Sequence, residues 1–223
     1  MDECLYDKGI AFIFEGETEK IFYFSLLQYF CDKYGMRLKK VDTDLGAGIY
    51  YELIGSERKI LVKSNCVGTV TQITHSANWF NNSCVKQFPK KMSWTVFLCY
   101  DTDSHEADIS KFYQDDWKIF RGNLTKKKSI AVVDMAAKAD IEDVLLTDIE
   151  GICAFLKMVP VLTVDQIPSG GKGKTKMKKI FRMVGATYHE GGKAQALIDT
   201  LNKETIIKSG ILPLEEIERI CFQ

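Results

Sequence analysis

Carboxylates follow two of the apolar segments of the chain. Glu15 ends the run AFIF, and Asp101 and Asp103 follow WTVFLCY as DTD. If these runs are parallel strands of one sheet, their carboxyl ends reach the same rim, where open α/β sheets bind ligands. Negative charge gathered there needs a cation, and oxygen ligands without His or Cys suit a hard ion. The spacing therefore predicts an Mg²⁺ (or Mn²⁺) site.

The elements that must position these carboxylates can be read from the hydrophobic pattern. GIAFIF (9–14) is short, β-branched and aromatic, which favours a buried strand. Residues 18–34 carry apolar side chains at helical spacing, and Gly35 is expected to end that helix. Other segments have similar patterning: strands at 58–64, 94–101 and 129–136, and helices at 70–80, 139–157, 174–184, 191–203 and 213–221.

Strands that alternate with helices predict an α/β fold, with a mainly parallel sheet flanked by helices. The last third of the chain shows little strand patterning. We therefore expect an α/β domain over residues 1–150 and a helical C-terminal extension over 151–223.

Composition limits the class of protein more than it identifies a partner. Lys plus Arg and Asp plus Glu both number 30, so net charge indicates no partner. Seven cysteines without a CxxC pair favour a reducing cytosol over a disulfide framework. The start, MDECLYDKG, is too polar for a signal peptide, and no apolar run has the length of a membrane span. We expect a cytoplasmic protein with no membrane association.

The order of the acidic motifs resembles that of a known domain. A strand followed by Glu15-Gly16, and a later strand followed by Asp-x-Asp, resemble the TOPRIM domain of topoisomerases, primases and certain nucleases. FEGETEKIFY is similar to the E-G-x-T/S-E opening of the OLD-type and RloB-like nucleases of phage defence. The resemblance covers roughly residues 9–146. The interval between Glu15 and Asp101 is longer than a minimal TOPRIM core needs, which implies an insertion around 42–58 or 80–93.

This resemblance implies a TOPRIM-like sheet and a role for each carboxylate. Asp101 and Asp103 would hold one Mg²⁺, with Glu15 as a further ligand or an acid–base group. Glu19 would complete a second metal position with Glu142, which lies in ADIEDVLL (139–146). Two such ions could serve the attacking and the leaving oxygen of a phosphodiester.

Each of these acidic residues also has a purely structural interpretation. Glu17 and Glu19 would favour the first turn of a helix through its dipole alone. Asp140 could be a helix N-cap, with Asp143 in a capping-box-like pair. A lone Asp-x-Asp after a strand is a common loop sequence. The combination of the motifs is more specific than any single one.

A lysine-rich run, GGKGKTKMKKIFR, follows in the C-terminal third. It does not fit a P-loop, since the first glycine of that motif would fall on Pro168. The run is either a solvated helix face or an arm that contacts nucleic-acid phosphates. For the second case the candidates are Lys172, Lys174, Lys176 and Lys178. OLD-like nucleases also use a lysine near the phosphate, which would correspond to Lys172, Lys174 or Lys193.

The resulting hypothesis is a Mg²⁺-dependent nuclease of antiphage defence that acts on DNA or RNA. One alternative is a TOPRIM nucleic-acid-binding or regulatory subunit that is inactive until a partner ATPase joins it. Another is a sheet whose acidic loops form no site. The sequence does not distinguish DNA from RNA as the substrate.

Overall fold

A computed structural model describes residues 5–42, 48–88, 92–126 and 130–223. It shows an α/β fold built on a six-stranded sheet with the strand order β2-β3-β4-β1-β5-β6. The strands are β1 (Lys8–Phe14), β2 (Arg37–Val41), β3 (Tyr50–Ile54), β4 (Lys59–Cys66), β5 (Trp94–Asp101) and β6 (Ile130–Ala137).

The centre of the sheet is parallel and one edge is antiparallel. β1 pairs in parallel with β4 and β5, and β5 pairs in parallel with β6. β2, β3 and β4 pair in antiparallel fashion. All but the first residue of β1 are buried, because helices cover both faces of the sheet there. The predicted α/β fold with a mainly parallel sheet is confirmed.

Ten α-helices surround the sheet in the described part of the chain. They are α1 (Glu17–Tyr34), α2 (Val70–Ile73), α3 (Ala77–Phe80), α4 (Asp115–Leu124), α5 (Ile141–Leu145), α6 (Ile149–Phe155), α7 (Gly173–Met183), α8 (Gln195–Thr200), α9 (Lys203–Lys208) and α10 (Glu215–Cys221). α1 ends at Gly35, whose left-handed backbone (φ 63°) lets a cap amide bond to the Cys31 carbonyl. None of these helices is both long and apolar enough to cross a membrane.

Two hydrophobic cores lie on opposite faces of the sheet. One contains α1 together with the C-terminal helices, and its buried side chains run from Ile10 to Phe222. The other lies beneath α2, α3 and α4. Residues 151–223 contain helices and no strand, as the pattern predicted. The predicted domain division at 150/151 falls within α6 and stays a prediction.

The predicted elements differ from the observed ones mainly between β1 and β5. The helix expected at 70–80 is two short helices, α2 and α3, separated by a turn. The β2–β3 hairpin was not predicted, because the outer strand RLKKV is exposed and basic, as suits an edge strand that must resist further pairing. Residues 43–47, 89–91 and 129 of the predicted insertion and strand intervals lie outside the described residues.

Candidate active site

An acidic pocket of about 400 Å³ opens at the carboxyl ends of β1 and β5. Its walls come from the start of α1, the loop after β5, the start of α5, the start of α7 and the segment before α8. The lining residues are Glu15, Gly16, Glu17, Thr18, Glu19, Gly68, Asp101, Asp103, Asp140, Ile141, Glu142, Lys172, Lys174, Thr175, Glu190 and Gly191. All five carboxylates predicted as metal ligands line this pocket.

Glu15 is fixed against β5 through both its backbone and its side chain. Its backbone N–H donates to the Cys99 carbonyl at 2.9 Å, and its own carbonyl accepts from Gly68 at 2.7 Å. Its Oε2 accepts a hydrogen bond from the backbone N–H of Asp101 at 3.0 Å. Parallel pairing of β1 with β5 therefore holds the carboxylate of Glu15 beside Asp101, as the rim argument predicted.

Asp101 is the residue with the most unusual environment in the pocket. Its Oδ1 is buried and has no hydrogen-bond partner among the described residues. Burial, followed by the charges of Glu19 and Glu15, raises the pKa of Asp101 to about 10. A buried carboxyl oxygen without a partner is costly, and it commonly marks the position of an ion or a water molecule.

Glu19 and Glu142 form the inner wall of the pocket and are both almost fully buried. Burial is the main cause that raises the pKa of each to about 7. Glu142 Oε1 accepts from the hydroxyl of Tyr188 at 2.9 Å. A helix dipole favours an acidic residue on an exposed first turn, but it does not explain why Glu19 is buried among other carboxylates.

Gly16 gives the carboxylate of Glu19 its space. A Cβ atom at position 16 would lie 2.7 Å from Glu19 Oε2. The backbone of Gly16 is extended, a conformation open to any residue, so a larger residue here would act by displacing the Glu19 carboxylate and not by straining the backbone.

Asp103 lies at the mouth of the pocket and faces a lysine. Its backbone is left-handed (φ 64°), and its N–H donates to the Ala139 carbonyl at 3.0 Å. Its exposed side chain pairs with Lys172, with 2.6 Å between Oδ1 and Nζ. Of the predicted metal ligands, Asp103 is therefore the one already held by a cationic side chain.

Two aspartates of α5 attach the lysine-rich helix α7 to the pocket. Asp140 is the N-cap of α5, as the structural interpretation of the sequence predicted, and its other oxygen accepts from the Lys174 amide at 3.1 Å. Asp143 Oδ2 accepts from the Gly173 amide at 2.8 Å. A Cβ atom at Gly173 would lie 2.1 Å from the backbone nitrogen of Asp143, so only glycine permits this approach.

The lysines of the run have different environments. Lys174 pairs with Glu190 at 2.5 Å, and Lys178 lies 3.9 Å from the same carboxylate. Lys176 is partly buried and pairs with Asp143 at 2.7 Å, which gives it a structural role. The predicted catalytic candidate Lys193 does not line the acidic pocket but a neighbouring apolar cavity. Lys172 and Lys174 are thus the lysines that adjoin the carboxylates.

Some residues that line the pocket or contact its carboxylates were not predicted from the sequence. Asp140 was interpreted only as a cap, and Glu190 and Tyr188 were not considered as site residues. Glu190 lies in HEGGK, a loop sequence with no distinguishing pattern. Only the packing of the segment before α8 against α1 brings it to the pocket, where the Gly191 N–H donates to the Thr18 hydroxyl oxygen at 2.9 Å.

The carboxylates of the pocket, together with the Asp101 Oδ1 that has no hydrogen-bond partner among the described residues, fit a hard divalent cation. All the candidate ligands are carboxylates, which suit Mg²⁺ or Mn²⁺ rather than a softer metal. In the parts of the chain that the structure describes, no three His, Cys, Asp or Glu side chains already form a metal-binding arrangement. The carboxylates would therefore have to converge when an ion binds.

Comparison with known proteins identifies no family for this chain. No protein-family model and no curated protein matches it. Native futalosine hydrolase of Helicobacter pylori aligns over 95% of this chain and 98% of its own, with 9% identity and a TM-score of 0.29. A mutant of futalosine hydrolase from that organism covers 96% and 98%, with 8% identity and a TM-score of 0.28. Helicobacter pylori MTAN covers 86% and 82%, with 8% identity and a TM-score of 0.25. Similarities this low carry no argument about fold or activity.

Proposed function

We propose that this chain is a nuclease of the TOPRIM type that uses Mg²⁺ or Mn²⁺ to cleave phosphodiester bonds in DNA or RNA. The observation that carries the proposal is the buried Oδ1 of Asp101, which has no hydrogen-bond partner in the described part of the chain and lies in a pocket lined by other carboxylates. Those carboxylates come from separate elements that the fold brings together. Like charges are not gathered in a buried site for stability alone, since each raises the free energy of its neighbours.

In this proposal the carboxylates hold the cation and the fold fixes their positions. Asp101, Glu19 and Glu142 form the buried part of the site, and Asp103 completes it at the mouth. The bound ion would polarise a phosphoryl oxygen and lower the pKa of a water molecule. Glu15, which is fixed by the Asp101 amide, is placed to ligate the ion or to transfer a proton.

Lys172 and Lys174 supply the positive charge that a phosphate needs. Both ammonium groups are partly exposed at the pocket and pair with Asp103 and Glu190 respectively. A phosphate that enters the pocket would take over these ammonium groups, which would free Asp103 for the cation. Electrostatic stabilisation of this kind is commonly among the largest contributions to catalysis.

The Lys172–Asp103 pair also favours a second candidate function. Lys172 neutralises a carboxylate that would otherwise bind the cation. In this second proposal the chain is a regulatory or nucleic-acid-binding subunit that becomes active when a partner ATPase joins it. A role in antiphage defence accompanies either function. Cleavage by the isolated chain would exclude the idle-subunit alternative.

The experiment is a cleavage assay of the purified chain on plasmid, single-stranded DNA and tRNA, with Mg²⁺, with Mn²⁺ and with EDTA. We expect cleavage with either ion and none with EDTA, because the carboxylates cannot position a phosphate without a cation. Glu15→Gln should lower the rate without unfolding the protein, while Glu17→Gln serves as an exposed control from the same pocket. Full activity in EDTA would refute the proposal.

A further inference from the structure

A second cavity, of about 280 Å³, lies beside the acidic pocket. The segment 187–193 separates the two. Its Glu190 and Gly191 line the acidic pocket, whereas Tyr188, His189 and Lys193 line the second cavity. Tyr188 connects them directly, because its ring lines the cavity while its hydroxyl donates to Glu142.

The walls of this cavity are aromatic and aliphatic. Phe181 contacts Phe155 at a centroid distance of 6.3 Å and Tyr188 at 5.3 Å. Phe155 and Leu156 are only half-buried, so they present apolar surface to the cavity. The volume lies just below the range of about 300–1,000 Å³ that drug-sized ligands occupy, which suits a single planar ring system.

Positively charged side chains lie next to the cavity. A third, shallow cavity of about 230 Å³ shares Ala186 and Tyr188 with the second and is also lined by Lys178 and Arg182. Lys193 lies at the aromatic cavity itself, and among the described residues no carboxylate lines that cavity. An apolar cavity next to cations complements a group that is flat and carries a phosphate.

We propose that the aromatic cavity binds one unstacked nucleobase of the strand that is cleaved, next to the phosphate held in the acidic pocket. This inference rests on the proposed nuclease function. Lys178 and Arg182 contact the phosphates that flank this base. Stacking on aromatic side chains tolerates any base, and a base must leave its duplex to reach such a site. Single strands and loops are therefore preferred over intact duplex.

The first test measures binding with a filled cavity. All binding is measured in the Asp101→Asn background, which prevents cleavage. The test variant adds Ala186→Leu to this background. The matched control adds Met183→Leu instead, at an exposed residue of α7. The probe is a labelled single-stranded oligonucleotide. We expect Ala186→Leu to weaken binding about 5- to 150-fold, the range that one aromatic–base stack contributes, and the control to change it less than about twofold. Unchanged binding by a folded Ala186→Leu protein would overturn the proposal.

A second test alters the substrate, so it does not depend on a variant that folds. Abasic nucleotides are placed one at a time along a single strand, and binding to the Asp101→Asn protein is compared. An abasic nucleotide at one position should weaken binding as much as Ala186→Leu does. When the abasic strand is tested with the Ala186→Leu protein, the two losses of affinity should not add. A flat profile across all positions would contradict the inference.

The two proposals fail in distinguishable ways. The wild-type chain could bind the intact strand better than the abasic strand and yet cleave neither. That result would support the base site and reject the nuclease function. A chain that cleaves duplex and single strands equally, with a flat abasic profile, would support the nuclease and reject the base site.

Discussion

Asp101 and Asp134 lie on the neighbouring strands β5 and β6, yet their environments are opposite. Asp134 accepts from both terminal nitrogens of Arg121, at 2.6 and 2.9 Å, and from the hydroxyls of Tyr100 and Tyr113, each at 3.1 Å. One oxygen of Asp101 has no hydrogen-bond partner among the described residues, and other carboxyl groups lie around it.

The difference shows that partners, rather than burial, decide whether the charge of a carboxylate is compensated within the protein, and it is the uncompensated one that we propose to be functional. A bidentate arginine with further donors satisfies the oxygens of Asp134 within the protein. Asp101 has no such compensation, so burial and the neighbouring carboxylates disfavour its charged form and raise its pKa to about 10. Substitutions at the two positions should therefore have opposite effects.

The largest expected effect is on cleavage. Asp101→Asn should lower the rate by roughly 10²–10³-fold or more, because it removes a buried negative charge from the cation site. The same change should leave the fold intact, since Oδ1 has no hydrogen-bond partner to lose among the described residues. Single-turnover cleavage and circular dichroism on the same preparation measure both effects. An Asp101→Asn variant as active as the wild type would show that Asp101 differs from Asp134 in its environment but not in its function.

Asp134→Asn should have the opposite profile, with a loss of stability and little loss of activity. It leaves Arg121 without its charged partner in a mostly buried position, which should cost about 2–3 kcal/mol of unfolding free energy. Urea denaturation measures this cost. Arg121→Met with Asp134→Leu, which removes both partners, should recover part of it. A large loss of cleavage with unchanged unfolding free energy would instead assign Asp134 to the catalytic site.

Glu19→Gln should stabilise the protein when no cation is present. Burial raises the pKa of Glu19 from 4.5 to about 7. A raised carboxyl pKa means that stability is complete below about pH 4.5 and falls as the pH rises through 7. In EDTA near pH 8 the variant should be more stable by about 1–2 kcal/mol, with no difference near pH 4.

Divalent cation should reverse this advantage. Mg²⁺ should raise the melting temperature of the wild type more than that of Glu19→Gln, since the cation takes over the role of the proton. Glu17→Gln provides the control, because Glu17 is an exposed residue of the same turn that pairs with Lys20 at 2.8 Å. Equal responses of Glu19→Gln and the wild type to Mg²⁺ would show that Glu19 holds no ion.

The smallest effects concern the lysine run. If Lys172, Lys174 and Lys178 contact phosphates, replacing all three should flatten the slope of log K against log salt by up to about 3, at roughly 0.9 for each phosphate on duplex DNA. Lys176→Met should change that slope by less than about 0.5, because the Lys176 side chain is only 20% exposed and pairs with a mostly buried aspartate, whereas the other three lysine side chains are more than 40% exposed. Binding at a series of salt concentrations, with Asp101→Asn protein, measures both. If each lysine changed the slope equally, the lysines would act through the overall electrostatic field of the protein and not through contacts with individual phosphates.

Much of the fold could be predicted because local pattern and tertiary structure agree. WTVFLCYD is a strand over the interval that its apolar run predicted, and α1 matches its helical spacing within a residue. The β2–β3 hairpin could not be predicted, since an exposed basic edge strand carries no hydrophobic alternation. The interruption between α2 and α3 was likewise absent from the pattern.

The candidate site was predictable in part. Glu15, Asp101 and Asp103 follow strands, so their position at one rim follows from parallel pairing. Glu190 reaches the pocket, and Tyr188 reaches Glu142, because the C-terminal segments pack on α1, a contact between parts of the chain that are far apart in sequence. Lys193 was predicted beside the carboxylates, but it lines the aromatic cavity instead.

The sequence by itself determined the central strands and the long first helix, and which carboxylates follow those strands, because these depend on side-chain type and local periodicity. The tertiary structure decided which of those carboxylates have partners. Asp134 and Asp101 are both aspartates of apolar strands, and only the position of Arg121 on α4 gives one of them a counter-charge. Partner charges come from distant segments, so their arrangement depends on how the helices pack on the sheet and not on local sequence.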